Sequence, residues 1–292
     1  GKRMKRLTAW NGIDTGLGLA SNTYKQVLMS GEMTIKELIC WAAGRGFSWV
    51  EVRDPDVTMT RDELEGIKRL ADSLKIRIHY SWDNKDTLKE DETFYQGMEN
   101  AALFGPGTCC RVLIAQETVR GRKGYSKEEV EKILPVVEKY VKRSKELGIW
   151  LCFENSMEPI RGDGVEYFGM SELLEKCQEM CVTFDAANAT NCTTCINPTE
   201  EQLLEYYNRF SERIFYFHLK VTKNHQLLDT VEREGDFHVE NLFQAFSSNK
   251  DMKICLEIPQ QPDLRKMTAA VERSLEVLEE IQKQQDADQC CS

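Results

Sequence analysis

The chain has 292 residues, 41% of them hydrophobic, which is enough to bury a large core as one α/β barrel or as two ordinary domains. The net charge of −10 and the pI of about 5.2 argue against a nucleic-acid surface, because phosphate binding needs clustered Lys and Arg. No apolar run reaches the roughly 18 residues that a membrane span needs. We therefore expect a globular protein that binds neither nucleic acid nor membrane.

Most of the 11 cysteines lie inside apolar runs, where a free thiol behaves as a small hydrophobe and indicates a reducing compartment. Cys192 and Cys195 have CxxC spacing, but no second pair is spaced to complete a zinc site, so we interpret them as a loop dithiol without a role. The start, GKRMKRLTAW, contains no apolar stretch typical of a signal peptide. These features predict a cytoplasmic protein, with an exported one as the alternative if Gly1 marks a removed signal peptide.

Short β-rich apolar runs alternate with longer segments of helical period, a pattern typical of a parallel sheet with crossover helices. Several helical segments begin at Ser or Thr, have an acid two or three residues later and end at Gly, as in 34–46 and 126–148. The eight predicted strands are 6–10, 47–53, 76–82, 110–115, 149–156, 181–187, 214–220 and 253–259.

Eight strands and about eight helices predict a (β/α)8 TIM barrel. No Gly/Ser linker or low-complexity stretch divides the chain, so we predict one domain over 1–292, with the barrel at about 6–286 and a disordered tail at 287–292. A doubly wound open sheet is the alternative, but no GxGxxG follows the first predicted strand. The nearest match, DTGLGLAS, has Gly16 and Gly18 without a third glycine.

The last four predicted strands each end in a side chain that commonly binds metal ions. In a barrel, the C-terminal ends of all strands converge on one face. Three carboxylates and a neutral imidazole would repel or protonate one another there unless a divalent cation lay among them. The alternative is a set of unconnected polar residues at the rim. The four residues are Glu154, Asp185, His218 and Glu257, spaced 31, 33 and 39 residues apart.

The order Glu, Asp, His, Glu on strands five to eight resembles the xylose isomerase-like TIM-barrel superfamily of sugar phosphate isomerases and epimerases. GFSWVEVRD resembles the family's Gly-Phe-x-x-Val-Glu strand, and GDFHVENLFQAF resembles its glycine-acid-aromatic turn. The resemblance covers nearly the whole chain. It implies one divalent ion, usually Mn²⁺ and sometimes Mg²⁺, Co²⁺ or Zn²⁺, bound by Glu154, Asp185, His218 and Glu257. It also implies that the two glutamates act as catalytic acid and base.

The chemistry of the four residues agrees with this implication. A mixed oxygen and nitrogen set suits a first-row divalent ion such as Mn²⁺. An ion that chelates a carbonyl and the adjacent hydroxyl stabilises the enediolate formed when a base removes the proton between them. Proton removal and return on one face gives isomerisation, and on two faces epimerisation. We therefore predict a metal-dependent sugar or polyol isomerase or epimerase with a small carbohydrate substrate, and leave open whether it forms a homo-oligomer.

The chain departs from the family pattern at two substrate-binding positions. Asn188 stands where many members have a histidine three residues after the strand-six aspartate, and HLKVTKNH lacks their arginine after the strand-seven histidine. Lys220 points to the same strand face as His218, so we predict that it orients a substrate oxygen. A solvated lysine at a strand end is the alternative.

Two residue pairs at the ends of strands two and three are further substrate-binding candidates. Glu51 and Arg53 either line the pocket or form an ion pair at the rim. His79 and Trp82 either contact a sugar or pack in the core. Less specific expectations are pocket positions for Trp10 and Asn11 and surface positions for His225 and His238.

Three other functions fit parts of the pattern. The same proton abstraction would allow a metal-assisted lyase or dehydratase that acts on a keto-sugar or keto-inositol. A metallonuclease of the endonuclease IV type has a similar barrel, but it needs more than the four histidines present and a basic DNA face. A non-catalytic sugar-binding relative is the third alternative, because the usual substrate-binding partners are altered.

Overall fold

Parallel strands form the centre of the computed structural model, which describes residues 15–191 and 197–290. Eight of the described strands make one parallel sheet that curves into a nearly closed barrel, which confirms the predicted (β/α)8 fold. The two other described strands, β8 and β9, pair only with each other. In chain order all ten described strands are β1 (Leu17–Ala20), β2 (Trp49–Arg53), β3 (Arg77–Ser81), β4 (Cys109–Val112), β5 (Trp150–Glu154), β6 (Cys181–Phe184), β7 (Ile214–Leu219), β8 (Thr222–Lys223), β9 (Gln226–Leu227) and β10 (Lys253–Leu256).

The strand order around the barrel is β3-β2-β1-β10-β7-β6-β5-β4. Between β3 and β4, side chains replace part of the backbone ladder. The backbone N–H of Cys109 donates to His79 Nδ1 at 2.9 Å, and that of Arg111 donates to Ser81 Oγ at 3.1 Å. These contacts hold the two ends of the sheet side by side, so that all eight strand ends reach the same face.

Seven of the eight predicted strands are confirmed, and the remaining one, at 6–10, lies outside the described residues. The strand between β10 and β2 is β1, which is fully buried. Its sequence, LGLA, contains a glycine, a residue that usually weakens a strand. Here Gly18 is required, because a Cβ at this position would overlap the indole ring of Trp49 inside the barrel.

The helices pack around the outside of the barrel, as crossover connections require. The helices predicted at 34–46 and 126–148 are confirmed, and each begins with a capping box. In chain order they are α1 (Lys25–Ser30), α2 (Ile35–Arg45), α3 (Arg61–Leu74), α4 (Glu92–Ala102), α5 (Gln116–Val119), α6 (Lys127–Leu147), α7 (Met170–Lys176), α8 (Ala186–Thr190), α9 (Glu200–Phe210), α10 (Val239–Phe246) and α11 (Leu264–Cys290).

One connection contains an element that the sequence analysis did not predict. The segment after β7 forms a small hairpin, β8–β9, whose two turn residues, Asn224 and His225, both have positive φ. Helix α11 ends at Cys290, and the predicted domain bounds stay a prediction. No described helix is long and apolar enough to cross a membrane.

Two apolar clusters hold the barrel together. The larger one lies between the sheet and the helices, and the smaller one fills the barrel interior. Three cysteines contribute to the interior cluster, so the prediction that buried thiols act as small hydrophobes holds for them. Cys40 differs, because it is exposed on α2. The interior cluster consists of Ala20, Trp49, Cys109, Cys152, Tyr216 and Cys255, with Cys181 and Phe215 packed against it.

Candidate metal centre and active site

Strand alternation determines which side chains enter the barrel. Alternate residues of a barrel strand face the interior, so residues two apart stack along the barrel axis. On β7, His218 follows Tyr216 in this way, and Lys220 follows His218 just beyond the strand. His218 is paired across the ladder with Cys255 of β10, which lies two residues before Glu257. The inward-facing residues nearest the C-terminal ends of these strands are polar, and they meet at the mouth of the barrel.

The four predicted metal ligands do converge at this mouth. Glu154 ends β5, Asp185 follows β6 and begins α8, His218 is on β7, and Glu257 follows β10. One potential ligand atom from each residue lies within 4.8 Å of those from the other three, and all four residues are buried. We call these four residues the quartet.

His218 presents one ring nitrogen to the quartet and the other to a supporting carboxylate. Its Nε2 lies 2.6 Å from Glu51 Oε2. Its Nδ1 lies 3.2 Å from Glu154 Oε2 and 3.3 Å from Glu257 Oε2, and makes no hydrogen bond to any described residue. When Nε2 carries the proton and donates it to Glu51, Nδ1 has a free lone pair directed at the two glutamates.

These distances fit a divalent ion. Two ligands at right angles around an ion at about 2.1 Å lie about 3.0 Å apart, close to the Nδ1–carboxylate spacings observed here. The unpartnered buried nitrogen is the atom that coordination would satisfy. Glu154, Asp185, His218 and Glu257 are therefore the residues that could hold the ion.

Glu51 is held beneath His218 by three donors. Besides the His218 ring, it accepts from Arg53 Nη2 at 2.6 Å and from the Tyr216 hydroxyl. Burial would raise the pKa of Glu51, but His218, Arg53 and Arg111 outweigh it and lower the pKa below its usual value. Glu51 is thus an anionic support for His218. The predicted pocket role for Glu51 stays a prediction, whereas its ion pair with Arg53 is observed, buried rather than at the rim.

Glu154 is clamped by two donors on opposite oxygens. Arg111 Nε donates to Oε2, and Asn188 Nδ2 donates to Oε1 at 3.0 Å. Arg111 also pairs with Asp83 in the loop after β3. Burial opposes ionisation of Glu154, but Arg111, His218 and Lys220 lower its pKa well below the usual range. Arg111 and Asp83 were not predicted as site residues, although Arg111 is the single charged residue in the apolar run CRVLIA.

Asp185 and Glu257 share the Lys220 ammonium. Lys220 Nζ contacts Asp185 Oδ2 and lies 3.0 Å from Glu257 Oε1, while Arg53 Nη2 lies 2.9 Å from Glu257 Oε2. Burial raises the pKa of Asp185 to about 6 although Lys220 acts in the opposite direction. Burial also opposes ionisation of Glu257, but His218, Lys220 and Arg53 lower its pKa.

Asn155 holds the backbone of Asp185 in place. Its side-chain Oδ1 accepts from Asp185 N at 2.8 Å, and its Nδ2 donates to Asp185 O at 2.7 Å. Asp185 Oδ1 in turn accepts a hydrogen bond at 2.9 Å from Asn188 N, which lies in the first turn of α8, so Asp185 caps this helix. Asn155 was also missed from the sequence, because its role depends on the pairing of β5 with β6.

The charged side chains of the site leave an excess of negative charge. The sequence predicts an ion that relieves the repulsion within the quartet. In the structure, three side-chain cations also compensate part of the negative charge. With the imidazole neutral, as coordination requires, two negative charges remain uncompensated. A divalent ion would offset them. The carboxylates are Glu51, Asp83, Glu154, Asp185 and Glu257, and the cations are Arg53, Arg111 and Lys220.

The excess of negative charge also affects the pKa of His218. Burial alone would lower the pKa of its imidazole, but Glu257, Glu51 and Glu154 raise it well above the usual value. The surroundings of the ring thus strongly favour a positive charge, which a proton or a metal ion can provide.

Four other predicted residues that the structure describes, His79, Trp82, His225 and His238, are not part of the quartet, and the sugar contact predicted for His79 and Trp82 stays a prediction. His79 closes the barrel through Cys109, and burial lowers its pKa well below the usual value, which keeps the ring neutral as an acceptor. Trp82 packs edge-on against Phe94, with ring centres 5.2 Å apart, and close to Gly97 in the helical core. His225 and His238 each have about half of the side chain exposed (52% and 50%). Trp10, Asn11, Cys192 and Cys195 lie outside the described residues.

Cavity size does not single out the quartet. A cavity of about 300 Å³ lies between the loop after β5 and α9, and none of the quartet lines it. A cavity of about 240 Å³ lies between the loops after β2 and β3 and reaches Asp83, the partner of Arg111. Within the quartet, Glu257 is the most exposed residue at 7%. Chemistry and convergence, rather than volume, therefore identify the site.

The barrel resembles solved structures that are named as sugar epimerases and isomerases. A D-allulose 3-epimerase from Methylomonas sp. aligns over 96% of this chain and 98% of its own, with 14% identity and a TM-score of 0.65. A sugar phosphate isomerase/epimerase from Parabacteroides distasonis aligns over 88% and 93%, with 14% identity and a TM-score of 0.67. A D-psicose 3-epimerase from Clostridium cellulolyticum aligns over 90% and 99%, with 12% identity and a TM-score of 0.62.

The fold implied by the xylose isomerase-like resemblance is thus confirmed, and a xylose isomerase domain protein from Salmonella typhimurium is also similar, with a TM-score of 0.57. No sequence model of a known family matches the chain, and neither does a curated protein. At these identities the likeness concerns the fold, and the case for function depends on the site.

Proposed function

We propose that this chain is a divalent-metal-dependent sugar isomerase or epimerase that acts by proton transfer at the carbon beside a carbonyl. The observation that supports it most directly is the convergence of four ligand-type side chains within 4.8 Å, with His218 Nδ1 unpartnered among them. The similar solved structures are named for 3-epimerases of small ketoses, which makes a keto-sugar the first substrate class to test.

Glu154, Asp185, His218 and Glu257 would hold the ion. Mn²⁺ suits this mixed oxygen and nitrogen set best, with Mg²⁺, Co²⁺ and Zn²⁺ as alternatives. The bound ion would supply Lewis acidity that stabilises the negative charge of an enediolate. The support of His218 by Glu51 keeps the coordinating nitrogen aimed at the centre of the quartet.

Glu257 and Glu154 would act as base and acid. In the barrel order, β7 lies between β10, which precedes Glu257, and β6 and β5, which ends in Glu154. The two carboxylates therefore approach from different sides of His218. Their lowered pKa values keep both ionised at neutral pH, so that one of them can accept the proton from the substrate. Epimerisation would require the other glutamate to have taken up a proton from solvent, which it donates to the opposite face of the carbon while the first glutamate keeps the substrate's proton. Isomerisation would require one glutamate alone, which returns the proton to the neighbouring carbon.

Lys220 and Asn188 would position the substrate's oxygen atoms from the mouth. Lys220 is almost buried and Asn188 partly buried, and both contact the quartet through polar atoms.

The predicted cytoplasmic location has its support in the cysteines, because the eight that the structure describes are all free thiols.

The test is incubation of the Mn²⁺-loaded protein with D-allulose, D-tagatose and other keto-sugars in D₂O, followed by NMR of the products. We expect an isomer or epimer with deuterium at the carbon beside the carbonyl. Glu257→Gln should reduce turnover by at least about 10²-fold, and the exposed Glu131→Gln on α6 is the matched control.

The other results would replace the proposal with a named alternative. Products without solvent deuterium would indicate hydride transfer, and loss of water from the sugar would indicate a lyase or dehydratase. Sugar binding without turnover would identify a non-catalytic relative. Metal content unchanged by His218→Ala would remove the quartet as the metal site.

A further inference from the structure

Lys220 lies where it touches two of the four metal-ligand candidates at once. Its Nζ contacts Asp185 Oδ2 and Glu257 Oε1, the latter at 3.0 Å, and only 10% of its side chain is exposed. Arg111 and Arg53 each contact one quartet residue only, Glu154 and Glu257 respectively. Among these three described cations, Lys220 therefore contacts the largest number of quartet residues.

An ion bound by the quartet needs the same oxygen atoms. Ligand atoms of all four residues lie within 4.8 Å, so an ion among them would be within contact distance of any ammonium that stays between Asp185 and Glu257. Two positive charges in a buried site repel strongly. The ammonium must therefore leave those oxygens, or give up one of its two contacts, when the ion binds.

We propose that Lys220 is a built-in competitor of the metal ion, which sets the affinity of the quartet by occupying Asp185 and Glu257. The inference rests on the proposed metal-dependent function. It differs from a role in orienting the substrate, because it predicts an effect on metal binding in the absence of any sugar. Lys220 is flexible and carries a point charge, so it can swing from the two carboxylates toward the mouth without moving β7.

The charge balance predicts the same direction. The site has two negative charges in excess when Lys220 is counted and His218 is neutral, and removing the ammonium increases this excess by one. A Lys220→Met variant should therefore bind Mn²⁺ more tightly for both reasons, as the ion meets no competitor and a more negative site. A lysine that merely supports the quartet would have the opposite effect, because its loss would leave the carboxylates disordered or protonated.

The experiment is isothermal titration calorimetry of Mn²⁺ into wild-type protein, Lys220→Met and Lys220→Gln. We expect both variants to bind at least about tenfold more tightly than wild type. Lys223→Met removes the same charge from the exposed hairpin, so its dissociation constant should match that of wild type. The thermal shift caused by Mn²⁺ should also be larger in the Lys220 variants than in wild type.

Equal or weaker binding by folded Lys220 variants would overturn the inference, while Mn²⁺ binding by wild type would leave the proposed function in place. Binding by the variants but not by wild type would support the inference. Absence of binding by every protein would contradict both. If the variants do not fold, acetic anhydride labelling of wild type decides: Mn²⁺ should increase acetylation of Lys220 relative to Lys223, and an unchanged ratio would overturn the inference.

Discussion

Glu158 is a buried carboxylate in the loop after β5, and its replacement by glutamine should remove a pH-dependent loss of stability. Glu158 Oε1 accepts from Ser156 N at 2.8 Å, and Oε2 accepts from the Tyr125 hydroxyl at 3.0 Å. Burial raises the pKa of Glu158 from 4.5 to about 7, although these two contacts lower it. A glutamine at this position approximates the protonated acid in shape and hydrogen bonding.

The sign and size of the effect follow from proton linkage. Between the unfolded pKa of 4.5 and the folded pKa of about 7, the folded protein binds a proton that the unfolded chain has released. The free energy of unfolding therefore falls as the pH rises through this window, and the loss is complete above about pH 7. With about 1.4 kcal/mol for each pKa unit, the loss is about 3 kcal/mol.

The assay is urea denaturation of wild type and Glu158→Gln between pH 5 and pH 8. We expect the advantage of the variant to grow by about 3 kcal/mol across that range, with little change below pH 5. Glu166→Gln, an exposed glutamate in the same loop, is the control and should show no such growth. An advantage that is constant with pH would refute the raised pKa, and stability that falls in the variant at all pH values would show that the carboxylate is needed for packing.

Three further substitutions test the site and the barrel. Glu51→Gln should weaken Mn²⁺ binding about 10- to 100-fold, because His218 loses its anionic support; calorimetry measures this, and unchanged affinity would contradict it. Arg111→Met should lower the free energy of unfolding by about 3–5 kcal/mol, since Glu154 is left as a buried charge. Urea denaturation measures it, and a loss below about 1 kcal/mol would show that Glu154 is protonated instead. Gly18→Ala should destabilise by about 1–3 kcal/mol through overlap with Trp49, and a neutral result would show that the indole has room to move.

Most of the fold could be predicted because seven strands are apolar runs between segments with clear helix signals. β1 could not, since LGLA offers two large apolar residues and two small ones in a stretch that looks like a turn. What makes it a strand is tertiary: Gly18 leaves space for Trp49, and β10 and β2 supply its backbone partners. The hairpin after β7 was missed for a related reason, because Asn224 and His225 are not the Asn-Gly or Asp-Gly pair that marks such turns.

The quartet could be predicted because its members stand at strand ends, a position that the chain order alone reveals. Among the cations around it, Lys220 and Arg53 were candidates from their positions at strand ends, whereas Arg111 depends on strand register, which the sequence does not show. Arg111 faces the interior because its strand partner is Cys152, two residues before Glu154. Asp83 reaches Arg111 only because β3 and β4 meet at the closure of the barrel. The sugar contacts predicted for His79 and Trp82 stay predictions; the sequence does not show that His79 accepts a hydrogen bond from Cys109 or that Trp82 packs against Phe94.

The stacking of residues two apart also explains why this barrel mouth can concentrate charge. Beneath Glu154, His218 and Glu257 the interior is filled by Cys152, Tyr216 and Cys255, none of which is exposed to solvent. This layer excludes water from below, so the effective dielectric constant at the site is low and each charge acts strongly on its neighbours. Lys220, one step further toward solvent than His218, is the group that can move outward when an ion binds. Water is excluded from the lower side of the site, and the Lys220 ammonium lies at its mouth. The site can therefore exchange this ammonium for a metal ion without rearranging the strands, and the metal titration of the Lys220 variants would reveal that exchange.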